Sequence, residues 1–113
     1  MAVITVNNKS ERLTEGSVVV ASQGDFVKIQ NGAKNDMTYY SFRFNPWPSE
    51  RIPVQVKSTG PIFKEWRDIE FKTNANGGRR DIMRQPVSVL KEMEMHTTQL
   101  KEGLPSHKSH THA

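Results

Sequence analysis

The chain has 113 residues, which is enough for one ordinary domain, and its apolar content of 35% predicts a lean hydrophobic core. It contains no cysteine, and this excludes disulfides, thiolate nucleophiles and cysteine-based zinc sites. The formal net charge of +4 permits contact with nucleic acid or an anionic membrane, but it requires neither.

Residues 17–30 predict a first hairpin. The segment consists of two apolar runs on either side of Gln23-Gly24, a pair that is typical of a turn. With this pair at the turn, Val20 faces Val27, and alternation along each strand places the two valines on one face. We therefore predict that the two runs pair with each other.

Residues 38–44 and 52–58 predict two more strands, separated by a segment that two prolines interrupt. In the first of these strands, Tyr39 and Arg43 would point away from the core. The aromatic side chains that share its core face would be those of Tyr40, Phe42 and Phe44.

A second hairpin is predicted over residues 66–85, with its turn at Asn76-Gly77. This dipeptide favours a type I′ turn, because both turn positions need a positive φ. In the resulting register Lys72 faces Asp81, so an opposite-charge pair lies directly across the two strands.

Residues 86–102 predict a helix. Pro86 suits its first position, which needs no N–H, and Gly103 followed by Pro105 provides a stop. Apolar side chains recur at steps of three and four and form one stripe, which consists of Leu90, Met93, Thr97, Leu100 and Leu104.

The predicted fold is α+β, an antiparallel β-sheet or small barrel of five to six strands with one C-terminal helix packed on it. One domain would cover residues 1–105, followed by a disordered His-rich tail at 106–113. The arginine-rich hairpin and helix over residues 66–100 are similar to the strand–strand–helix end of the PC4/Whirly single-stranded-DNA-binding families. The resemblance covers less than a third of the chain and implies single-stranded DNA binding at that end.

No pattern typical of an enzyme occurs. The histidines all lie in the predicted helix or tail, away from any nucleophile. Asp68, Glu70 and Asp81 have basic neighbours, so surface ion pairs explain them better than acid–base catalysis does. There is no phosphate-binding loop, serine-centred elbow or metal-ligand spacing. We expect a non-enzymatic protein without catalytic residues, metal site or cofactor.

Positive charge concentrates between residues 57 and 84, where seven Lys and Arg residues stand against four Asp and Glu residues. Guanidinium groups bind phosphates and exposed aromatic rings stack on bases, so the leading hypothesis is binding of nucleic acid, preferably single-stranded. Trp66 would stack on a base. The alternative, that Trp66 belongs to the core and the arginines only keep the hairpin soluble, stays open. The predicted phosphate contacts are Arg67, Lys72, Arg79, Arg80 and Arg84.

A protein-interaction or assembly subunit, such as a virion or accessory protein, is the alternative function. Its binding site would consist of Tyr39, Arg43 and Trp47, the last of which stands between two prolines. Surplus apolar width on the predicted helix would let the chain form a homo-oligomer. No secretion signal and no run of about 18 apolar residues occurs, so we expect a cytoplasmic or virion-associated protein without membrane contact.

Overall fold

A computed structural model describes residues 1–43, 60–87 and 90–109. Of these residues 51% lie in strands and 3% are helical, and none belongs to a helix of seven residues or more. The described part of the chain is therefore nearly all β, and the predicted α+β fold with a C-terminal helix is wrong. Within the same ranges, no helix is long and apolar enough to cross a membrane. The predicted strand at 52–58 lies outside them, as do Phe44 and Trp47.

The described residues contain eight strands and one short 3-10 turn, Trp66–Asp68. The strands are β1 (Ala2–Val6), β2 (Lys9–Leu13), β3 (Val18–Val20), β4 (Val27–Asn31), β5 (Ile62–Lys64), β6 (Lys72–Asn74), β7 (Gly77–Val87) and β8 (Leu90–Leu100). They form three antiparallel sheets. The first sheet has the order β2-β1-β4, the second consists of β3 and β5, and the third has the order β6-β7-β8.

β1 is the central strand of the first sheet, and a tight turn at Asn7-Asn8 connects it to β2. Asn7 has a φ of 54°, a left-handed conformation that asparagine tolerates better than most residues. Asn7 also fixes the start of β4. Its backbone N donates to the Phe26 carbonyl at 2.8 Å, and its side-chain Oδ1 accepts from the Phe26 N at 3.0 Å.

The predicted pairing within residues 17–30 is wrong. The turn itself is present, with Gly24 at a φ of 88° and a hydrogen bond of 3.1 Å from Asp25 N to Ser22 O. On either side of it, however, β3 pairs with β5 and β4 pairs with β1. The bonds made by Asn7 hold β4 against β1, so the chain passes from the second sheet to the first at this turn.

The hydrophobic core has two halves, one on each side of the two-stranded second sheet. Val18 and Val20 pack towards the third sheet, whereas Val19 packs towards the first, because successive side chains of a strand point to opposite faces. No polar or charged residue among those described is buried. The buried core consists of seven apolar residues, Ile4, Val6, Leu13, Ile62, Ile82, Met83 and Val87.

Where the helix was predicted, the structure has the C-terminal end of β7 and the whole of β8, and these two long strands pair with each other antiparallel. Pro86 lies in β7 at a shift of register between Gln85 and Val87, where the ladder requires no N–H from it. Since the helix is absent, neither self-association through it nor the strand–strand–helix resemblance has a structural basis.

The hairpin predicted over residues 66–85 is present, but its register differs by two residues. Lys72 pairs with Arg79 rather than with Asp81. A shift by two keeps every side chain on its face, so Lys72 Nζ still lies 3.3 Å from Asp81 Oδ2 in a diagonal ion pair. The turn lies at residues 75–76, so the predicted type I′ turn at Asn76-Gly77 is wrong, and Asn76 lacks the positive φ that it would need. Gly77 belongs to β7 with a φ of 145°, and a Cβ there would collide with the backbone of β8.

Residues 38–43 form no strand, and the prediction that Tyr40 and Phe42 belong to the core is wrong. Their side chains are 86% and 82% exposed, respectively. A strand needs a neighbour for its backbone N–H and C=O groups, and no described strand of this chain pairs with the segment. Tyr39 and Arg43 are exposed as well.

Candidate functional site

Most of the cations predicted to contact phosphate lie on one exposed face of the third sheet, the charged face, which consists of Lys72, Arg79, Asp81, Arg84 and Glu92. Lys72 and Arg79 share one carboxylate. Arg79 Nε lies 2.9 Å from Asp81 Oδ1, and Lys72 Nζ lies 3.3 Å from Oδ2. These bonds, with that from Arg79 foremost, lower the pKa of Asp81 below its ordinary value. Asp81 therefore offsets part of the charge of both cations.

Two further predicted phosphate contacts also have acidic neighbours. Arg84 Nε lies 3.0 Å from Glu92 Oε1 on the charged face. Arg67 Nε, in the 3-10 turn, lies 3.7 Å from Glu65 Oε1. The charged face therefore alternates in sign and does not present a continuous positive patch.

Arg80 and Trp66 lie together, as part of the packing of the chain. The Arg80 guanidinium carbon lies 4.3 Å from the centroid of the Trp66 ring and 4.9 Å from that of Phe71. Gly16 contacts the indole so closely that a Cβ at position 16 would lie 2.7 Å from Trp66 Cδ2. Trp66 is half-buried. Both side chains are thus partly covered by contacts within the chain, so less of their surface can contact a base or a phosphate.

Glu65 connects the second sheet to the first. Its Oε1 accepts hydrogen bonds from Thr14 N at 2.7 Å and Thr14 Oγ1 at 2.6 Å, and its Oε2 accepts from Arg67 N at 2.7 Å. These bonds, the one from the Thr14 hydroxyl above all, lower the pKa of Glu65 from 4.5 to about 2. No sequence pattern points to this residue, because Thr14 stands 51 positions away along the chain.

A shallow cleft of about 350 Å³ lies between the 3-10 turn and the third sheet. No histidine, serine or threonine is among the described residues that line it. In the described ranges, no three His, Asp or Glu side chains come close enough together to hold a metal ion. The charged lining residues of the cleft are Lys64, Glu65, Asp68, Glu70, Lys72 and Asp81.

Two of the three most exposed large apolar side chains of the described residues, Tyr40 and Phe42, lie in residues 36–43, which we name the aromatic arm; the third, Phe26 at 83%, precedes β4. Tyr39 is 58% exposed, and Tyr40 and Phe42 are exposed still more. Among the residues that the structure describes, no hydrogen bond involves the arm. Of the predicted protein-binding residues, Tyr39 and Arg43 lie in the arm, while Trp47 is outside the described residues. These exposed aromatic rings make the arm a candidate binding surface.

A second exposed apolar feature is the edge of the first sheet formed by β4. Val27 and Ile29 lie directly across from Val6 and Ile4 of β1, so they share the face on which those two residues are buried. Val27 is nevertheless 48% exposed and Ile29 39% exposed. Sequence reasoning missed this edge because it paired β4 with β3.

Comparisons of the chain with protein-family models, with curated proteins and with solved structures gave no match. No relative therefore supplies a role for the aromatic arm or for the charged face. The function has to be inferred from the exposed residues of the chain itself.

Proposed function

We propose that this chain is a non-enzymatic assembly subunit that binds protein through its aromatic arm. The observation that carries the proposal is the exposure of Tyr39, Tyr40 and Phe42 on a segment without hydrogen bonds inside the described structure. Burying one large apolar side chain stabilises a complex by roughly 1.5–3 kcal/mol. Aromatic and arginine side chains also dominate the central contacts of protein interfaces, and Arg43 adds such a cation at the end of the arm.

The charges of the arm favour protein over nucleic acid as its partner. It contains one acidic residue, Asp36, and one basic residue, Arg43. Binding along a phosphate backbone depends on several cations that neutralise neighbouring phosphates. An arm without net charge but with three exposed rings is better suited to an apolar protein surface.

A photo-crosslinking amino acid placed at Tyr40 tests this proposal in cells that produce the protein. We expect a covalent adduct with another protein chain, which mass spectrometry then identifies. The matched control carries the same probe at Glu102, an exposed residue beyond β8, and should give no adduct. Absence of a protein adduct at Tyr40, or equal yields at both positions, would contradict the proposal.

Binding of single-stranded nucleic acid is a second candidate, favoured by the exposure of two arginines. Arg67 and Arg84 keep 68% and 72% of their side-chain surface exposed despite their acidic neighbours. Exposed ion pairs contribute only about 0–1 kcal/mol, so a phosphate can compete with the carboxylate for the guanidinium. The interaction would depend on these two residues and the charged face, without base stacking by Trp66.

An oligonucleotide titration at low and moderate salt decides this second candidate. The logarithm of the association constant should fall with the logarithm of salt concentration by about 0.7 per phosphate contact. Combining Arg67→Glu with Arg84→Glu should weaken binding, whereas Arg12→Glu on the first sheet should weaken it much less. No binding at low salt removes nucleic acid from consideration.

A further inference from the structure

We propose that the aromatic arm of one copy of this chain adds to the first sheet of a second copy, as a strand alongside β4. The inference rests on the proposed function, because it names the partner of the same arm. The resulting sheet would have the order β2-β1-β4-arm, with the arm supplied by the other copy. Three features of the described residues support it, namely the open edge, the sequence of the arm and a register that joins them.

No strand in the part of the chain that the structure describes pairs with the side of β4 that faces away from β1, and we call this side the open edge. At the ends of the β1–β4 ladder, the Phe26 carbonyl accepts a bond of 2.8 Å from the first turn, and Gly32 N donates to Met1 O at 2.9 Å. Alternate residues of an antiparallel strand bond to the same neighbour, so the even-numbered residues from 26 to 32 bond to β1. The N–H and C=O groups of Val27 and Ile29 therefore point to the open edge, where another strand can bind them.

The arm has the sequence of a strand but no strand partner among the described residues. Aromatic and β-branched residues favour strands, and in residues 38–43 they alternate so that Tyr40 and Phe42 share one side. Six extended residues span roughly 20 Å, and the five residues of β4 span roughly 17 Å. The arm is thus long enough to cover the whole edge.

One antiparallel register satisfies both apolar packing and charge. Phe42 opposite Val27 puts Tyr40 opposite Ile29, and Ser41 then lies opposite Lys28. A shift by one residue would turn the aromatic rings to the polar face of β4. A shift by two residues in one direction places Arg43 opposite Lys28, and like charges opposite each other are unfavourable. The shift in the other direction places Phe42 opposite Asp25, beyond the end of β4, where it loses its apolar partner.

The geometry after β4 favours exchange between two copies over folding back within one chain. Asn31 closes a turn, since its Oδ1 accepts from Ala33 N at 2.9 Å and its Nδ2 donates to Asn35 O at 2.7 Å. The arm that follows makes no hydrogen bond to the β4 of its own chain. In a two-fold dimer each copy would donate one arm and receive one, so both edges are covered and the assembly closes.

Disulfide trapping between two single-cysteine variants tests the pairing, because the chain has no cysteine of its own. In the proposed register Gln30 lies opposite Tyr39 in a pair without mutual hydrogen bonds, whose Cα atoms are about 4.5 Å apart. We therefore expect Gln30→Cys mixed with Tyr39→Cys to give a disulfide-linked dimer. Mixing two variants excludes a bond within one chain, and both aromatic residues on the apolar side are retained.

Arg12→Cys mixed with Tyr39→Cys is the matched control. Arg12 lies on the same face of the first sheet as Gln30, but on the opposite edge strand, β2. We expect at least about tenfold less linked dimer in this mixture, because cysteines whose Cα atoms are more than about 7 Å apart are not bridged. Equal yields in the two mixtures overturn the proposed pairing.

Sedimentation equilibrium of the unmodified chain separates failure of this inference from failure of the proposed function. We expect a dimer that Tyr40→Ser combined with Phe42→Ser converts to a monomer. A monomer at all concentrations overturns the inference. If the probe at Tyr40 then still gives an adduct with a different protein, the arm binds a heterologous partner and the proposed function stands.

Discussion

The indole of Trp66 contacts Gly16 and the guanidinium of Arg80 in one packed group. Gly16 has a φ of 91°, which side chains other than glycine rarely adopt, and the indole occupies the space that a Cβ would need. The turn between the first and second sheets therefore depends on glycine for two separate reasons. One is backbone conformation and the other is the approach of the ring.

Gly16→Ala should destabilise the fold more than Gly24→Ala does. Both glycines have positive φ, at 91° and 88°, so each substitution carries a conformational cost of about 1–3 kcal/mol. A Cβ at Gly16 would also collide with the Trp66 ring, whereas a Cβ at Gly24 meets nothing within 4 Å. Urea unfolding of the two variants measures the difference. Equal losses of unfolding free energy would show that Trp66 does not pack on Gly16.

Glu65 makes stability depend on pH in a defined window. Its pKa is about 2 in the folded chain and 4.5 ordinarily, so its contribution is complete above pH 4.5 and is lost as the pH falls towards 2. Glu65→Gln removes that contribution. The difference in urea midpoint between the parent chain and the variant should be large at pH 7 and small at pH 2.5.

Glu70→Gln is the control for this pH dependence. Glu70 is an exposed carboxylate in the same segment, without a hydrogen bond or ion pair inside the described structure. The difference in urea midpoint between Glu70→Gln and the parent chain should change little between the two pH values. If the difference in urea midpoint for Glu65→Gln is also the same at both pH values, the role assigned to the bonds between Glu65 and Thr14 is contradicted.

At the scale of elements, β8 illustrates how two periodicities compete in one sequence. Residues 90–104 place apolar side chains at steps of three and four, which predicts a helix, but Met93, Met95 and Thr97 also alternate with charged and polar residues. The structure follows the second pattern, with these three half-buried and the residues between them exposed. Long-range pairing with β7 decides the outcome, and such pairing is not visible in a local pattern.

Substitutions at Met95 and His96 distinguish the strand from a helix. Met95 packs against the core beside Met83, whereas its neighbour His96 is exposed. Met95→Ser should lower the unfolding free energy by about 1–2 kcal/mol, below the range for a fully buried methionine. His96→Ser should change it by less than about 0.5 kcal/mol. Equal effects in chemical denaturation would contradict the alternation of β8.

The positions of two turns were predicted from sequence to within a residue, whereas most partners of strands were not. The Gln23-Gly24 turn is present, and Gly24 has the positive φ that such a turn needs. The second hairpin is present too, but its turn lies at residues 75–76 instead of at Asn76-Gly77, and the shift of register between Asp81 and Met83 puts Arg84 on the same face as Arg79. The partner of β4 was missed, because β1 contacts it from far away along the chain. The turn between β1 and β2 was missed because Asn7-Asn8 lacks the glycine that marks most such turns.

At the scale of the whole molecule, the described residues are flat, with extents of 45 × 44 × 20 Å and a radius of gyration of 16.5 Å. A compact chain of this length would have a radius near 13 Å. Three small sheets side by side bury few residues and leave strand edges open, and open edges are sites where other chains add. The dimer that we propose would bury additional apolar surface of this flat molecule and so add to a lean core.

The candidate site was predicted only in part from the sequence. Alternation along a strand at 38–44 predicted that Tyr39 and Arg43 are exposed and that Tyr40 and Phe42 are buried. Residues 38–43 form no strand and are all exposed, so the exposure of Tyr39 and Arg43 does not come from alternation. The charge of the second hairpin was evident from the sequence. In the structure the cations of this hairpin lie beside carboxylates. This arrangement depends on the register of β6, β7 and β8, which the sequence alone does not determine.

Residue-resolved amide hydrogen exchange at low and high protein concentration tests the central claim most directly. If the arm of one copy binds the β4 edge of another, the amides of Val27, Ile29, Tyr40 and Phe42 become protected together as the concentration rises. The amide of Lys28 already bonds to β1 and should not change, which makes it an internal control. Fast exchange at those four amides at every concentration would contradict the claim.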